Sequence, residues 1–323
     1  MDDNVHGSHV ARIIAALKDN GKGVIGVAPK AIIMALRGLN SSGGTSDRLA
    51  MCIKYAADQG AQVLSNSWGG SAWFGISQDL AETIDYAHDD KDCVVVFAAG
   101  NDNSDVVGFA PAGYPKVITV AATDEKDEKC NFSNFGAGID VAAPGGGADS
   151  KDGEDTPFGQ HYKRVNILSL RSKDTDMYLA AEGYTAGEFI LGDKYYRARG
   201  TSMACPFVSG VAALIRANKP ALGSEEVRSL IRLSADDRGA AGKDDYFGYG
   251  RVNALKAIHL GEGFVGIISP AEGSFIRDTQ EVRVSGSAFI PNSTFHGYAL
   301  WYSRKDNPSV VSLTLLYIWR SLS

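Results

Sequence analysis

Cysteine is scarce in this chain. Four residues, Cys52, Cys93, Cys130 and Cys205, are scattered over 323 positions, and none is spaced as a Cys-x-x-Cys pair. That argues against a disulfide framework and against a thiolate zinc site, and leaves buried free thiols as the expectation. An excess of positive charge is missing too. Lys and Arg number 32 against 38 Asp and Glu, a net charge of −6, and without a basic stripe nucleic acid is not an expected partner. Long apolar runs are also lacking. The C-terminal stretch VVSLTLLYIW falls short of the roughly 20 residues that span a bilayer. The opening MDDNVHGS has neither the basic nor the apolar region of a signal peptide. The expectation is therefore a cytoplasmic protein or a chain whose natural N-terminus lies further upstream.

What is present is the composition of a folded globular protein: 44% hydrophobic and 22% charged residues, enough apolar side chains to fill a large core. A length of 323 residues suggests one domain of about 250 residues and something smaller. Short apolar runs alternate with helical patterns. AIIMALRGL (31–39), QVLSNSWGG, CVVVFAAGN, VITVAATD and IDVAAPGGG read as strands. TSDRLAMCIKYAADQGA and ISQDLAETIDYAHDD read as helices, the first with Leu49, Ile53 and Ala56–Ala57 on one face and Thr45 or Ser46 as its cap. This order implies an α/β fold, a mostly parallel sheet between two helical layers. Ligands bind such sheets beyond the carboxyl ends of their strands, which directs attention to SWGG and AAGN.

Residues 147–165 read as a charged surface loop, and NILSL and EFILGDKYYRARG as strands leading into a buried helix over 202–217. Pro206 is expected in the first turn of that helix, where its missing N–H does little harm. SEEVRSLIRLSADD reads as a helix begun by a Ser cap, and GYGRVNALKAIHL as the closing turn and helix. Beyond residue 262 the pattern changes to half-exposed strands, so residues 1–262 are expected to form the main domain and 263–323 a partial β-sandwich-like module. The last run, SVVSLTLLYIWRSLS, does not continue the alternation.

The chemistry-bearing stretches are GTSMA, HGSHVA and FAAGNDN. Ser202 opens a helix, where a serine is more often a cap than a nucleophile. His6 and His9, three apart, suit one general base with its neighbour packed beneath it, and no acidic or Cys partner completes a tetrahedral metal site. Asn101 follows a strand end and suits an amide donor to a developing alkoxide, although Gly-Asn is also a common turn.

The ordered set HGSHVA, SNSWGG, FAAGN, FSNFG…IDVAAPGG and GTSMACPFVSGVAAL resembles the subtilisin-like serine proteases over roughly residues 1–260. That resemblance implies a subtilisin-like three-layer fold and peptide-bond hydrolysis by an acyl-enzyme route. It implies His6 as general base, Ser202 as nucleophile and Asn101 as oxyanion donor. Ser67, Trp68, Gly69 and Gly70 would pair with the substrate backbone, and Ala98, Ala99 and Gly100 would line the pocket before the scissile bond. It further implies protein or peptide substrates, a monomer, and a secreted enzyme. No cofactor is needed for the chemistry. Structural calcium follows from the resemblance alone, with ALKDNGKGV (16–24) as the similar loop and no metal ligand assigned.

Three departures matter. The family's triad acid sits in a D-[ST]-G motif before the His motif, and no such motif occurs here. Asp2 and Asp3 lie too close to His6 to replace it. The expectation is a chain short of one buried strand and of its acid, inactive or nearly so as given. In a subtilisin, loss of that acid alone lowers turnover by about 3 × 10⁴. Arg12 stands where the family has Gly, and is either at the surface or costly to bury. Phe207 replaces a common His after the Pro. The glycine and alanines of AAG suggest an open pocket for a large apolar side chain. Two other readings compete. One is a non-enzymatic relative that binds peptides along SWGG. The other is an α/β-hydrolase acting on esters through Ser202, Asp236 or Asp237, and His259, which leaves HGSH and AAGN unexplained.

Overall fold

The computed structural model describes residues 6–40, 43–72, 75–147, 166–171, 190–192 and 194–260, together with the backbone of strands at 264–269, 285–289, 300–304 and 307–314. The centre is a four-stranded parallel sheet. Strands β1 (Val63–Asn66), β3 (Val94–Ala98), β5 (Ile118–Thr123) and β6 (Val141–Pro144) lie side by side in that order. A parallel sheet of this kind is covered on both faces, which is why β3 and β5 are buried at every residue and read as unbroken apolar runs.

Alternation sorts the side chains to two layers. Val94, Val96 and Ala98 join Ile118, Val120 and Ala122 against helices α4 (Thr201–Asn218), α5 (Ser224–Leu233) and α6 (Ala254–His259). Val95 and Phe97 face the other way, onto Ala50, Ile53 and Ala57 of α2 (Ser46–Asp58) and Leu80 and Ile84 of α3 (Gln78–Asp85). The expected three layers are thus present. Helix α1 (His6–Ala15) packs through Val10 and Ile13 in a cluster with Met203 of α4 and with Tyr196 and Ala198 of β9 (Tyr195–Ala198). The strand β9 lies between β7 (Ile167–Leu170) and β8 (Ile190–Leu191) in a small antiparallel sheet leading into α4.

A buried ion cluster ties the end of this core together. Asp140, just before β6, accepts the Thr119 N–H at 2.8 Å and pairs with Arg228 and Arg232 of α5. Burial pushes its carboxyl pKa up, the two guanidiniums outweigh that, and the net shift is down. All three buried thiols, Cys93, Cys130 and Cys205, are free, with burial pushing their pKa values up to about 11, about 12 and about 11.

Several local expectations change. Residues 31–39 form no strand, and Ile32 is 97% exposed. A strand needs a neighbour for its N–H and C=O groups, and among the described residues none pairs there. Arg12 is at the surface, which removes the burial cost. Helix α5 has Gly223, not Ser224, at its cap; the Asp92 carboxylate accepts the Ser224 N–H at 2.6 Å. The loop 147–165 lies mostly outside the described residues. Past residue 262 the described strands form two antiparallel ladders, Phe264–Ser269 with Ser285–Phe289 and Leu300–Arg304 with Asn307–Thr314. The second ladder takes in the start of the run expected not to alternate.

His88 links α5 to the turn after α3. Its Nδ1 meets Asp89 at 2.8 Å and its Nε2 meets Glu225 at 3.0 Å, with the Ser224 hydroxyl 3.3 Å away. Lys116 and Arg228 are the nearby cations, paired with Asp89 and Glu225. Burial lowers the His88 pKa, but the two carboxylates prevail and raise it. A raised value means that the stabilisation is fully present below the unfolded pKa of about 6.5 and is lost as pH rises through the folded one. Thermal melts between pH 5.5 and 8.5 should show His88→Asn less stable by roughly 1–2 kcal/mol at the acid end, a gap that closes toward pH 8.5. A gap of constant size would mean that the histidine contributes by shape alone.

Candidate active site

Ser202 is the second residue of α4, at the carboxyl end of the parallel sheet. The residue before the helix, Gly200, has φ 144°, a region that side-chain-bearing residues avoid. This turn lets Thr201 face Asn101. The Asn101 Oδ1 accepts the Thr201 N–H at 2.8 Å and the Thr201 hydroxyl at 3.0 Å, and that hydroxyl accepts the Gly100 N–H at 3.1 Å. Both bonds to Oδ1 come from donors, so the amide's orientation is decided and Nδ2 is its outward end.

The Ser202 N–H follows Thr201 in the same helix turn. The Met203 and Ala204 N–H groups turn to the Gly200 carbonyl, and among the described residues no acceptor takes the N–H of Ser202. A Cβ on Gly200 would lie 3.6 Å from Nδ2 and 3.7 Å from the Ser202 nitrogen. That built position is equally 3.6 Å from the Asn101 Oδ1, so the asparagine amide and the first turn of α4 are close neighbours across Gly200.

A third amide builds the support. Asn134, fully buried within FSNFG, donates to the Ala99 carbonyl at 3.0 Å and accepts the Asp102 and Ser104 N–H groups at 2.9 and 3.1 Å. Its own N–H meets the Gly100 carbonyl at 3.0 Å. Sequence reading noted the FSNFG stretch without assigning Asn134 a task, and missed Thr201 as the partner of Asn101. A polar residue inside an apolar-flanked motif was the available signal.

Ser67 and Ser202 meet directly. The Ser202 hydroxyl donates to the Ser67 carbonyl at 3.2 Å, and the Ser67 hydroxyl donates to the Ser202 carbonyl at 2.8 Å. His6 begins α1 as Ser202 nearly begins α4, and the two helices share the cluster of Val10, Ile13 and Met203. His9 is fully buried; its Nε2 lies 3.2 Å from the Ile167 carbonyl. Burial lowers its pKa to about 4, so it stays neutral at pH 7.

The residues expected to line a substrate path are placed unequally. Trp68 turns its ring inward, edge-on to Phe97 with centroids 4.9 Å apart. Ala98 and Ala99 bury their methyls in two different core clusters. Gly70 and Ser71 form β2 and pair antiparallel with Phe109–Ala110 of β4. Gly69 and Gly100 both face the Phe109 ring; a Cβ on Gly100 would come within 2.9 Å of it. An aromatic ring is therefore a close neighbour of both expected walls.

The ester-hydrolase set is not assembled. Asp236 pairs with Arg251 at 2.8 Å and Lys256 at 2.6 Å, and His259 is exposed at the end of α6. Asp19, in the loop compared with a calcium region, is exposed and pairs with Lys18 at 3.3 Å. Among the described residues no three His, Cys, Asp or Glu side chains group to hold a metal, and no helix is long and apolar enough to cross a membrane.

Comparison with known proteins adds a second line of observation. A model of the subtilase family (peptidase S8) matches residues 1–250. A thermophilic serine proteinase of Bacillus sp. (strain AK1) is 37% identical over 259 residues, covering 80% of this chain and 53% of that protein. A calcium-dependent protease of Trichormus variabilis is 33% identical over 279 residues, covering 79% of this chain and 40% of its own length. The chain thus spans about half the length of these two relatives. Among solved structures, a protease from Pseudoalteromonas arctica superposes with a TM-score of 0.64 at 33% identity, over 79% of this chain and 70% of that one.

Gly200→Ala should destabilise the protein by about 1–3 kcal/mol in urea unfolding, because alanine must hold a φ it avoids. A change below about 0.5 kcal/mol would show that the turn relaxes and that the contact of Thr201 with Asn101 does not depend on glycine.

Proposed function

The chain belongs to the subtilase family, and from that premise we propose that it is a serine endopeptidase working through an acyl-enzyme on Ser202. One observation carries this reading: Thr201 N–H and hydroxyl both hold the Oδ1 of Asn101, which fixes that amide against the turn carrying Ser202 and leaves its Nδ2 as the donor end. The serine oxygen attacks a peptide carbonyl carbon, and its proton passes to the imidazole of His6. The carbonyl oxygen becomes an alkoxide held by the Asn101 Nδ2 and the Ser202 N–H. Its collapse expels the amine, which takes the proton from His6. Water then repeats the sequence, frees the acid and restores Ser202.

The reading extends to specificity. Backbone of residues 67–70 pairs with the substrate, and the Phe109 ring beside Gly69 and Gly100 leaves room for a small side chain next to the scissile bond. Substrates are proteins or peptides, and secretion and a monomeric state go with the family. The subtilase domain is residues 1–262, with 263–323 as a separate β-rich module. A relative's name speaks of calcium dependence; the loop at 16–24, with a lone carboxylate already paired to Lys18, does not fit that ion. The D-[ST]-G acid that the family pairs with this histidine is not among these 323 residues. Peptide binding without turnover is the second reading, favoured by that same observation.

A fluorophosphonate with mass-spectrometric detection is the direct test. Adduct on Ser202 is the expected result, lost in Ser202→Ala, slowed about 10²–10³-fold in Asn101→Ala and unchanged in His259→Ala. Absence of any adduct leaves the peptide-binding reading. Among peptide esters, those with Ala before the scissile bond should react faster than those with Phe, by about tenfold or more. Phe109→Ala should narrow or reverse that order.

A further inference from the structure

Helix α4 contains a proline, and its position is decisive. Pro206 is the sixth residue of the helix, in the second turn and not the first as its sequence position suggested. A proline has no N–H, and its ring crowds the carbonyl four residues back. That carbonyl belongs to Ser202. The backbone of the proposed nucleophile therefore loses the hydrogen bond that an α-helix would give it, in the turn that must hold it still.

The lost donor is replaced from the sheet. The Ser67 hydroxyl donates to the Ser202 carbonyl at 2.8 Å, a distance within the range of good hydrogen bonds. The exchange runs both ways, since the Ser202 hydroxyl donates to the Ser67 carbonyl at 3.2 Å. The next turn also meets the sheet. Ser65, in β1 two residues before Ser67, has its hydroxyl 2.9 Å from that of Ser209. There the backbone carbonyl of Cys205 has its own side-chain donor in Ser209, at 3.1 Å.

We propose that Ser67 is a positioning residue for Ser202, its hydroxyl standing in for the helix hydrogen bond that Pro206 removes. This rests on the serine-peptidase reading for its catalytic meaning, but its geometry does not. The role is distinct from pairing with a substrate, which uses the backbone of residue 67 and survives a change of side chain. Proline at 206 and serine at 67 are then one device: the first frees the carbonyl from the helix, the second fixes it to the sheet. The device sets the helix start relative to β1, and with it the reach of the Ser202 oxygen and N–H.

A double-mutant cycle on the full chain tests this, with fluorophosphonate labelling rate and thermal unfolding as two readouts. Ser67→Ala should slow labelling of Ser202 by about tenfold, the scale of one lost hydrogen bond, while Ser67→Thr keeps most of the rate. Pro206→Ala supplies a helix N–H to the Ser202 carbonyl. In that background Ser67→Ala should cost less than about threefold in rate and a correspondingly smaller drop in midpoint temperature. Equal losses from Ser67→Ala in both backgrounds, in rate and in melting, would overturn the proposal. If the parent chain takes no label, the serine-peptidase reading fails, and the melting cycle alone decides the clamp: coupled losses support it and additive ones reject it.

Discussion

The burial of α4 against the parallel sheet is the constraint on which the rest depends. Ala204, Cys205, Val208, Val211, Ala212 and Ile215 are all buried among side chains of β3, β5 and β6. A buried valine or isoleucine of this kind contributes about 1.5–3 kcal/mol. So many on one helix leave it no freedom to slide. The helix start is therefore held beside the carboxyl ends of the strands, and Ser202 is carried there by packing far from itself. The small residues matter as much as the large ones: Gly210 sits where a Cβ would strike Val27, so the helix can lie close to its neighbour.

On that rigid helix, a chain of amides sets the polar end. Asn134 holds the turn after β3, the turn holds Asn101, and Asn101 meets Thr201. Each member satisfies the next, so no donor needs to reorganise when charge develops nearby. That is the physical basis of preorganised stabilisation. The reciprocal Ser67–Ser202 pair adds a second tether from the sheet to the same helix turn. Two independent tethers on one turn fix direction as well as position.

Much of the architecture was legible in the chain. Continuous apolar runs such as CVVVFAAGN and VITVAATD are short and rich in β-branched residues, so their assignment to buried parallel strands follows from burial on both faces. The candidate residues could be picked out because they fall in short motifs at the ends of those strands. Other features were not legible. Residues 31–39 have strand chemistry, but a strand is a property of a pair, and no partner is present among the described residues. Ser224 has cap chemistry, yet Asp92, 132 positions away in sequence, takes its N–H. The ring of Phe109 stands against both Gly69 and Gly100, a neighbour that sequence spacing alone does not bring there.

The division has one physical reason. What depends on a residue and its near neighbours was determined by the sequence itself: the alternation of elements, the turn at Gly200, and the serine and asparagine at element ends. What depends on contacts between distant segments was decided only by the tertiary structure. The bond from Thr201 to Asn101 spans 100 residues and that between Ser67 and Ser202 spans 135. The missing N–H of Pro206 is a local fact of the chain, but that it frees the Ser202 carbonyl depends on where the helix begins. Which group answers that carbonyl is not a local fact either, because that donor arrives only when the sheet and the helix have packed.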